Sequence, residues 1–299
     1  MIAAGLDIGG TKIETQVFDS DWALVERRRV ATPQTYDALL ETVVEQIMWA
    51  QTVAGETVTV GIGADGLVHP ETELVLGANL AASGKTFPAD IGRATNTSVT
   101  YMNDCRALAV SEAIFGAGRG HSTVMAVILG TGIGGGIAVD GVVVQGATGM
   151  AGEFGHIAAS ADVIVRYGLP IWPCGCGRQG CIETYVAGAG LQRLALHVTG
   201  QVVTPEQIGQ RRTGDMAHVW EIWCALAAEF IHTLTLIADP DVIVLGGGLS
   251  KIDGITDDLT QAAQAVQLSG FAVPPIVLAT GGDTSGARGA AYTAWKATT

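Results

Sequence analysis

Three cysteines and one histidine have the types and the spacing of a metal site. Residues 174–181 are Cys-Gly-Cys-Gly-Arg-Gln-Gly-Cys, and the nearest upstream histidine is His156, in Gly-Glu-Phe-Gly-His. Clustered thiols in a chain without an export signal favour metal binding over a disulfide. Structural zinc takes four tetrahedral ligands, commonly three cysteines and a histidine. We predict a structural Zn²⁺ site of His156, Cys174, Cys176 and Cys181; the alternative is three free thiols in a tight loop.

Two glutamates flank these ligands in the sequence. Glu153 precedes His156 by three residues and Glu183 follows Cys181 by two. A bound metal would fix both carboxylates where they can accept hydrogen bonds from a polyol. The alternative is that both are solvated surface carboxylates.

A glycine turn near the start of the chain could hold a phosphate. Asp7 is followed by Ile8 and then by Gly9, Gly10, Thr11 and Lys12. Glycines let the backbone approach a phosphate and direct N–H groups at it, and Thr11 can donate a further hydrogen bond. Asp7 could hold Mg²⁺ through water, because Mg²⁺ keeps several of its waters. An ordinary hairpin turn is the alternative.

Two further glycine segments extend this chemistry. Residues 130–135 (Gly130, Thr131, Gly132, Ile133, Gly134 and Gly135) match G-x-G-x-x-G, but a strand-like run follows, whereas a dinucleotide site needs a helix there. We therefore predict a phosphate cradle. Gly246, Gly247 and Gly248 follow an apolar strand and suit the adenosine of ATP; a plain strand-to-helix loop is the alternative. The chain contains no G-x-x-x-x-G-K-[ST] motif.

One carboxylate is placed to act as a general base. Asp104 lies between a predicted strand, 98–102, and a predicted helix, 105–115. Aspartate is also a preferred N-cap residue, so a capping role competes with catalysis, although the two are compatible. Asn103 beside it could bind a second hydroxyl.

The surrounding pattern predicts an α/β fold of two similar lobes. Apolar runs at 2–18, 58–62, 124–129, 137–144 and 242–245 indicate strands, and 33–54, 217–238 and 286–296 indicate helices. Ile-Gly-Gly occurs at 8–10 and again at 133–135, each time between apolar strands, so both lobes should open with a hairpin. We expect a small lobe of 1–118, closed by the helix within 286–299, and a large lobe of 119–285 that carries the zinc site and a dimer surface.

Composition excludes several classes of function. Of the 299 residues 48% are apolar, which is ample for a core, and the net charge of −13 argues against nucleic-acid and anionic-membrane partners. The uncharged run 123–139 is rich in glycine and therefore predicts strand–turn–strand, not a membrane span. Because the start shows no leader, we expect a cytoplasmic protein.

Together these motifs resemble the ROK family (repressor, open reading frame, kinase) along essentially the whole chain. The turn at 7–12 resembles its first phosphate motif, 129–136 its second, and 152–156 with 174–183 its zinc signature. Within the family, Ala-Asn-Leu-Ala-Ala-Ser-Gly-Lys at 78–85, Tyr-Gly-Leu at 167–169 and Cys-Ile-Glu at 181–183 are most similar to bacterial N-acetylglucosamine kinases.

The resemblance implies an actin-like ATPase (ribonuclease H-like) fold with a ligand cleft between two lobes, usually dimeric, using ATP and Mg²⁺. It implies that Asp104 is the base. It also implies that the sugar is contacted by Asn79, Asn103, Glu153, His156 and Glu183, and an acetyl group would lie near Ser83 and Gly84. The expected reaction is phosphorylation of the 6-hydroxyl of a hexose, N-acetyl-D-glucosamine first; fructokinase, glucokinase and a catalytically silent sugar-binding protein are the alternatives.

Two departures from the family pattern bear on sugar identity. Asp65 stands where the family often has proline before Gly66, and Cys105-Arg106 stands where Ala-Asn often follows the aspartate. The family also contains repressors with a helix-turn-helix before the first phosphate turn. Asp7 leaves no room for one, and the acidic charge does not favour DNA.

Overall fold

The computed structural model of the protein describes residues 3–55, 57–282 and 285–299. The strands are β1 (Ala3–Ile8), β2 (Lys12–Phe18), β3 (Leu24–Ala31), β4 (Thr59–Ala64), β5 (Leu67–Val68), β6 (Val75–Leu76), β7 (Val99–Asn103), β8 (Thr123–Leu129), β9 (Ile133–Val139), β10 (Val142–Val143), β11 (Val242–Gly246) and β12 (Ile276–Leu278). The α-helices are α1 (Tyr36–Ala54), α2 (Phe87–Thr95), α3 (Asp104–Phe115), α4 (Ala161–Arg166), α5 (Glu183–Val186), α6 (Gly188–Thr199), α7 (Pro205–Gln210), α8 (Ala217–Ala238), α9 (Ile255–Val266) and α10 (Ser285–Lys296). Short 3₁₀ turns cover Phe154–His156 and Leu249–Lys251.

The two larger sheets have the same strand pattern. Their orders are β3-β2-β1-β4-β7 and β10-β9-β8-β11-β12. In the first, β2 is antiparallel to β1 and to β3, while β1, β4 and β7 run parallel. In the second, β10 is antiparallel to β9, while β8, β11 and β12 run parallel. The repeated Ile-Gly-Gly motif at 8–10 and 133–135 therefore corresponds to a structural repeat of the two sheets.

The chain divides into two compact units. The first comprises Met1–Gly120, Gly136–Gly152 and Thr280–Thr299, and the second His121–Gly135 and Glu153–Ala279. The predicted lobes placed 136–152 in the second unit, but these residues pack with the first. One physical reason is the Arg106 side chain, buried on α3, which binds backbone carbonyls in that segment.

The core of the first unit lies between its sheet and the helices α1 and α2. Strand β4 is almost wholly buried, and Leu6, Ile62, Val43 and Phe87 meet in one apolar cluster. The buried face of α1 consists of residues at helical spacing, four of them apolar and one polar: Leu39, Val43, Gln46, Ile47 and Ala50. Burial of this apolar face holds the parallel strands whose ends carry the site.

The long helix α8 forms the centre of the second unit. It is long and apolar enough to span a membrane, with half of its apolar window buried. Trp223, Leu226 and Phe230 on it are buried, and the Trp223 indole N–H donates to the carbonyl of Val186 at 3.0 Å. It is therefore the core helix that the sequence predicted, with the same bounds. The other apolar run, at 123–139, forms β8, a turn and β9.

Several element boundaries differ from prediction. Helix α1 begins at Tyr36, not at residue 33, and Ile2, the predicted start of the first hairpin, lies outside the described residues. Strand β9 begins at Ile133, inside the second glycine motif. Gly135 in this strand packs closely on Phe154, because a Cβ there would lie 2.5 Å from the phenyl ring. After Gly248, the 3₁₀ turn Leu249–Lys251 precedes α9, which begins at Ile255.

Candidate active site and zinc-binding cluster

The carboxyl ends of three parallel strands meet at one edge of the first sheet. The register pairs Ile8 of β1 with Ala64 of β4, and Ala64 with Asn103 of β7. The residues that follow are the Gly9–Gly10 turn, Asp65 and Asp104, so all three lie side by side. Ligands of open α/β sheets bind at this kind of edge.

The first glycine turn is a tight, braced hairpin. The Gly9 N–H donates to the Lys12 carbonyl at 3.0 Å, and the Thr32 hydroxyl donates to the Gly9 carbonyl at 2.6 Å. Thr11 at its tip is exposed. Asp7 lies against the first turn of α10, where a Cβ on Gly286 would come within 2.7 Å of the Asp7 carboxyl carbon. These contacts fix the backbone of the turn.

Asp104 begins α3, but Asn103 is the N-cap residue. The side chains of both residues accept a hydrogen bond from the Cys105 N–H, Asn103 at 2.9 Å and Asp104 at 2.8 Å. The predicted capping role therefore belongs mainly to Asn103. Burial, opposed by the bonds from Cys105 and reinforced by the nearby charge of Asp65, raises the pKa of Asp104. A carboxylate with a raised pKa at a strand end suits a proton acceptor.

The segment predicted to contact the sugar follows β6. Asn79, Ser83 and Gly84 are all exposed there. The Gly84 N–H donates to the Val75 carbonyl at 2.8 Å, which closes the segment. The Asn79 N–H donates to Asp65 Oδ2 at 2.8 Å, so a residue at the strand edge fixes the turn.

The second unit has an equivalent strand edge. Gly246 of β11 pairs with Ile128 of β8, so the turn at 130–132 lies beside the glycines that follow β11. The Gly130 N–H donates to the Gly132 carbonyl at 3.0 Å, and Gly247 lies so close to Leu129 that a Cβ would come within 2.5 Å of its carbonyl oxygen. Thr131 is exposed at the tip. Of the predicted motif, Gly134 and Gly135 belong to β9 and not to this turn.

The four predicted zinc ligands lie together. The ligand atoms of His156, Cys174, Cys176 and Cys181 are all within 4.8 Å of one another. Cys176 Sγ and Cys181 Sγ are 3.6 Å apart, and so are Cys174 Sγ and His156 Nδ1. A tetrahedral site with Zn–S near 2.3 Å implies ligand separations of roughly 3.7 Å. The residues therefore fit a zinc ion, with Nδ1 as the histidine ligand.

Backbone contacts shape this cluster. The Cys174 N–H donates to the Arg178 carbonyl at 2.8 Å, and Ala158 pairs with Cys181 in an isolated bridge. Burial raises the pKa of Cys174 and of Cys181, whereas a hydrogen bond from the Arg178 N–H lowers the pKa of Cys176. The loop thus orders the thiols through its own backbone.

Glu183 lies next to the cluster, at the start of α5. Its Oε1 is 2.9 Å from Cys174 Sγ and 3.6 Å from His156 Nδ1. Glu153 immediately precedes the 3₁₀ turn that carries His156, and it is partly buried. Both carboxylates are held by ordered elements and are not freely solvated, which favours the functional interpretation over the alternative.

Two buried charged residues on α3 were not recognised from the sequence as anchors. Arg106 donates from Nε to the Ala151 carbonyl at 2.9 Å and from its guanidinium terminus to the Gly149 carbonyl. Glu112, fully buried, accepts hydrogen bonds from the N–H groups of Thr280 and Gly281. The carbonyls that Arg106 binds and the Thr280 and Gly281 N–H groups that Glu112 binds are all 43 or more residues away in the sequence, so no local pattern could have identified these contacts.

Known proteins resemble this chain over nearly its whole length. The ROK family matches residues 3–297. The N-acetylgalactosamine kinase AgaK of Shewanella sp. (strain ANA-3) is 42% identical over 291 residues, which cover 96% of this chain and 94% of that protein. The N-acetyl-D-glucosamine kinase of Escherichia coli O127:H6 is 40% identical over 296 residues, with 96% and 97% covered.

Solved structures agree. A ROK hexokinase from Thermus thermophilus superposes with a TM-score of 0.88 at 30% identity, covering 100% of this chain and 99% of that one. A ROK family glucokinase from Streptomyces griseus, in complex with glucose and AMPPNP, gives a TM-score of 0.76 at 30% identity, with 98% of each chain covered. The predicted actin-like α/β fold is confirmed.

Proposed function

The chain belongs to the ROK family, and from its strand-edge site we propose that it transfers the γ-phosphoryl group of ATP to the 6-hydroxyl of a hexose, with N-acetyl-D-glucosamine as the preferred sugar. The observation that carries this proposal is that a rigid glycine turn and the partly buried Asp104 carboxylate lie at the ends of parallel strands of one sheet. Curated relatives at 40–42% identity are N-acetylhexosamine kinases, which supports the sugar class.

Asp104 acts as the general base in this proposal. Its carboxylate accepts the proton of the 6-hydroxyl as the oxygen attacks the γ-phosphorus, and ADP leaves on the opposite side. Asn103 holds Asp104 at the helix start, and its side chain can also contact a neighbouring hydroxyl. The raised pKa makes Asp104 a stronger acceptor than an exposed aspartate.

The glycine turns hold phosphate in this mechanism. In the first unit the backbone N–H groups of Gly10 and Thr11, with Lys12, would meet the negative oxygens, and Asp7 would hold Mg²⁺ through water. In the second unit the turn at 130–132 does the same, and Gly246–Gly248 faces the adenosine. Bound Mg²⁺ supplies charge compensation on the phosphates.

The zinc-binding cluster has an organising role. Cys174, Cys176, Cys181 and His156 Nδ1 would hold Zn²⁺, and the bound ion would fix their loop in one conformation. The imidazole then keeps Nε2 for a sugar hydroxyl, and Glu153 and Glu183 accept hydrogen bonds from the sugar. A zinc ion with these four protein ligands would have no open coordination position, so its role would be structural and not catalytic.

N-acetyl-D-galactosamine is the second candidate sugar. It differs from N-acetyl-D-glucosamine only in the configuration at C4, and the AgaK kinase is 42% identical to this chain. A site built to bond one hydroxyl can reject an isomer that leaves that group unpaired. Glucose and fructose kinases keep the same chemistry without the acetyl group.

The test is a phosphorylation assay of the zinc-replete protein with ATP and Mg²⁺. The sugars are N-acetylglucosamine, N-acetylgalactosamine, N-acetylmannosamine, glucose, mannose and fructose, and the measurements are kcat/KM and the phosphorylated position by phosphorus NMR. The highest kcat/KM for N-acetylglucosamine, with 6-phosphate as product, is expected. A higher value for another hexose would correct the sugar and keep the mechanism.

Two variants separate an enzyme from a sugar-binding protein. Asp104→Asn should bind sugar but turn over slowly, whereas Asp162→Asn, an exposed carboxylate on α4, should match the unmodified protein. Sugar binding without ADP release by the unmodified protein would contradict the kinase proposal and support the silent binder.

A further inference from the structure

Asp65 braces the segment that carries Asn79. The carboxylate follows the last residue of β4, and its Oδ2 accepts hydrogen bonds from two consecutive backbone groups, the Ala78 N–H at 3.2 Å and the Asn79 N–H at 2.8 Å. A carboxylate that accepts from adjacent N–H groups fixes the orientation of the peptide between them.

The rest of this segment is anchored independently. Leu80 and Ala82 are buried in the core of the first unit, and the Gly84 N–H bonds the Val75 carbonyl. Asn79 itself is exposed and lies before these anchors in the sequence. The Asp65 carboxylate therefore fixes the N-terminal part of this segment through hydrogen bonds, and burial of Leu80 and Ala82 in the core fixes the part that follows.

Close packing keeps Asp65 against this turn. A Cβ on Gly77 would lie 3.2 Å from the Asp65 carbonyl oxygen and from its Oδ2, and a Cβ on Gly66 would lie 2.7 Å from the Leu76 carbonyl. The two chain segments are in contact on both sides of the carboxylate. The side chain thus has little room to leave its two N–H partners.

We propose that Asp65 is a positioning residue for sugar binding, which fixes the backbone at Ala78–Asn79 so that the Asn79 side chain can hydrogen-bond the hexose. This rests on the proposed function, in which Asn79 contacts the sugar. Proline, frequent here in the family that the chain resembles, offers no side-chain acceptor and could not make these bonds. Where proline would restrict its own backbone, Asp65 instead fixes the neighbouring segment through two hydrogen bonds.

Three variants test this inference in the same kinase assay: Asp65→Ala, Asp65→Asn and Asn79→Ala. Asparagine keeps a carbonyl oxygen that can accept both N–H bonds, whereas alanine removes the acceptor. Asp65→Ala should raise the KM for sugar about 10-fold or more, because bonds to charged groups are the strong ones, and should leave the KM for ATP within about twofold. Asp65→Asn should restore most of the lost sugar affinity.

A double variant shows whether Asp65 acts through Asn79. If it does, Asp65→Ala/Asn79→Ala should have about the same sugar KM as Asn79→Ala alone, since neighbouring residues in one network are not additive. Circular dichroism and thermal unfolding establish that each variant is folded.

The outcomes are distinguishable. An unchanged sugar KM in folded Asp65→Ala, equal losses in the alanine and asparagine variants, or fully additive effects with Asn79→Ala would overturn this inference while the unmodified enzyme remains active. Failure of the unmodified protein to bind or phosphorylate any sugar would overturn the proposed function and this inference with it.

Discussion

The buried carboxylate of Glu112 should be a major stabilising group of the first unit. From α3 it accepts hydrogen bonds from the N–H groups of Ala117 at 2.9 Å, Thr280 at 3.1 Å and Gly281 at 2.8 Å, and from the Ser285 hydroxyl at 3.2 Å. It joins α3 to the segment that leads into α10. Helix α10 packs against Asp7 through Gly286. The hydrogen bonds of Glu112 therefore also help to position α10 next to the first glycine turn.

The perturbation is Glu112→Gln, which keeps the shape and removes one acceptor. Whichever way the amide is oriented, its NH₂ group faces at least one buried N–H. An unsatisfied buried donor costs about 1–3 kcal/mol, and the remaining bonds lose their charge assistance, about 1 kcal/mol in total. We expect a loss of roughly 2–4 kcal/mol in the free energy of unfolding. At about 2–4 °C per kcal/mol for a unit of this size, Tm should fall by roughly 5–15 °C.

The assay is thermal and urea unfolding followed by circular dichroism. Glu41→Gln, an exposed glutamate on α1, is the matched control and should change Tm by less than about 2 °C. A Tm for Glu112→Gln within that same margin would refute the reasoning, because it would mean that the four contacts contribute no net stability.

Four further outcomes are expected. Asp104→Asn should lower kcat by about 10²–10⁴-fold with unchanged zinc content, measured by steady-state kinetics and metal analysis; normal turnover would exclude Asp104 as the base. The same variant should be more stable than the unmodified protein at neutral pH: a raised folded-state pKa means that the ionised carboxylate opposes folding above that pKa, and the difference should vanish below pH 3, where Asp104 is protonated folded or unfolded. Chelation, or Cys181→Ser, should remove one zinc per chain and lower Tm, and an unchanged metal content would contradict the ligand set. Arg106→Met should destabilise the protein by about 2–4 kcal/mol in urea unfolding, because it leaves two carbonyls without their charged donor, while exposed Arg166→Met should not.

The sequence predicted those features that depend on residues close together in the chain. Helix α8 has the predicted bounds because an unbroken apolar run ends at Asp239-Pro240, where proline cannot continue a helix. The glycine turns after β1 and β8 follow from two glycine motifs between apolar runs. The clustering of the four proposed zinc ligands was predictable because three of them are close in sequence, so that chain connectivity already brings them together.

Adjacent residues of similar chemistry could not be ranked from the sequence. Asn103 and Asp104 are both good N-cap residues, and only the backbone dihedrals of the folded chain show that Asn103 is the cap and Asp104 the first helical residue. Likewise Gly135 was assigned to a turn, although the glycine serves close packing of β9 on Phe154. Glycine permits both uses, so its presence alone does not choose between them. The expected dimer and cytoplasmic location stay predictions.

The residues that sequence reasoning set aside as departures from the family pattern are structural braces. Asp65 binds the backbone at Ala78–Asn79, and Arg106 binds the backbone at Gly149 and Ala151, two residues before Glu153. Neither Asp65 nor Arg106 takes part in the proton transfer that we propose for Asp104. Each acts on a loop that leads to a proposed sugar contact, and small shifts of such contacts decide between sugars that differ at one carbon. We therefore expect the residues at positions 65 and 106, which hydrogen-bond the backbone of these loops, to determine differences in sugar preference between this protein and its relatives. The identity of the side chains that contact the sugar should matter less.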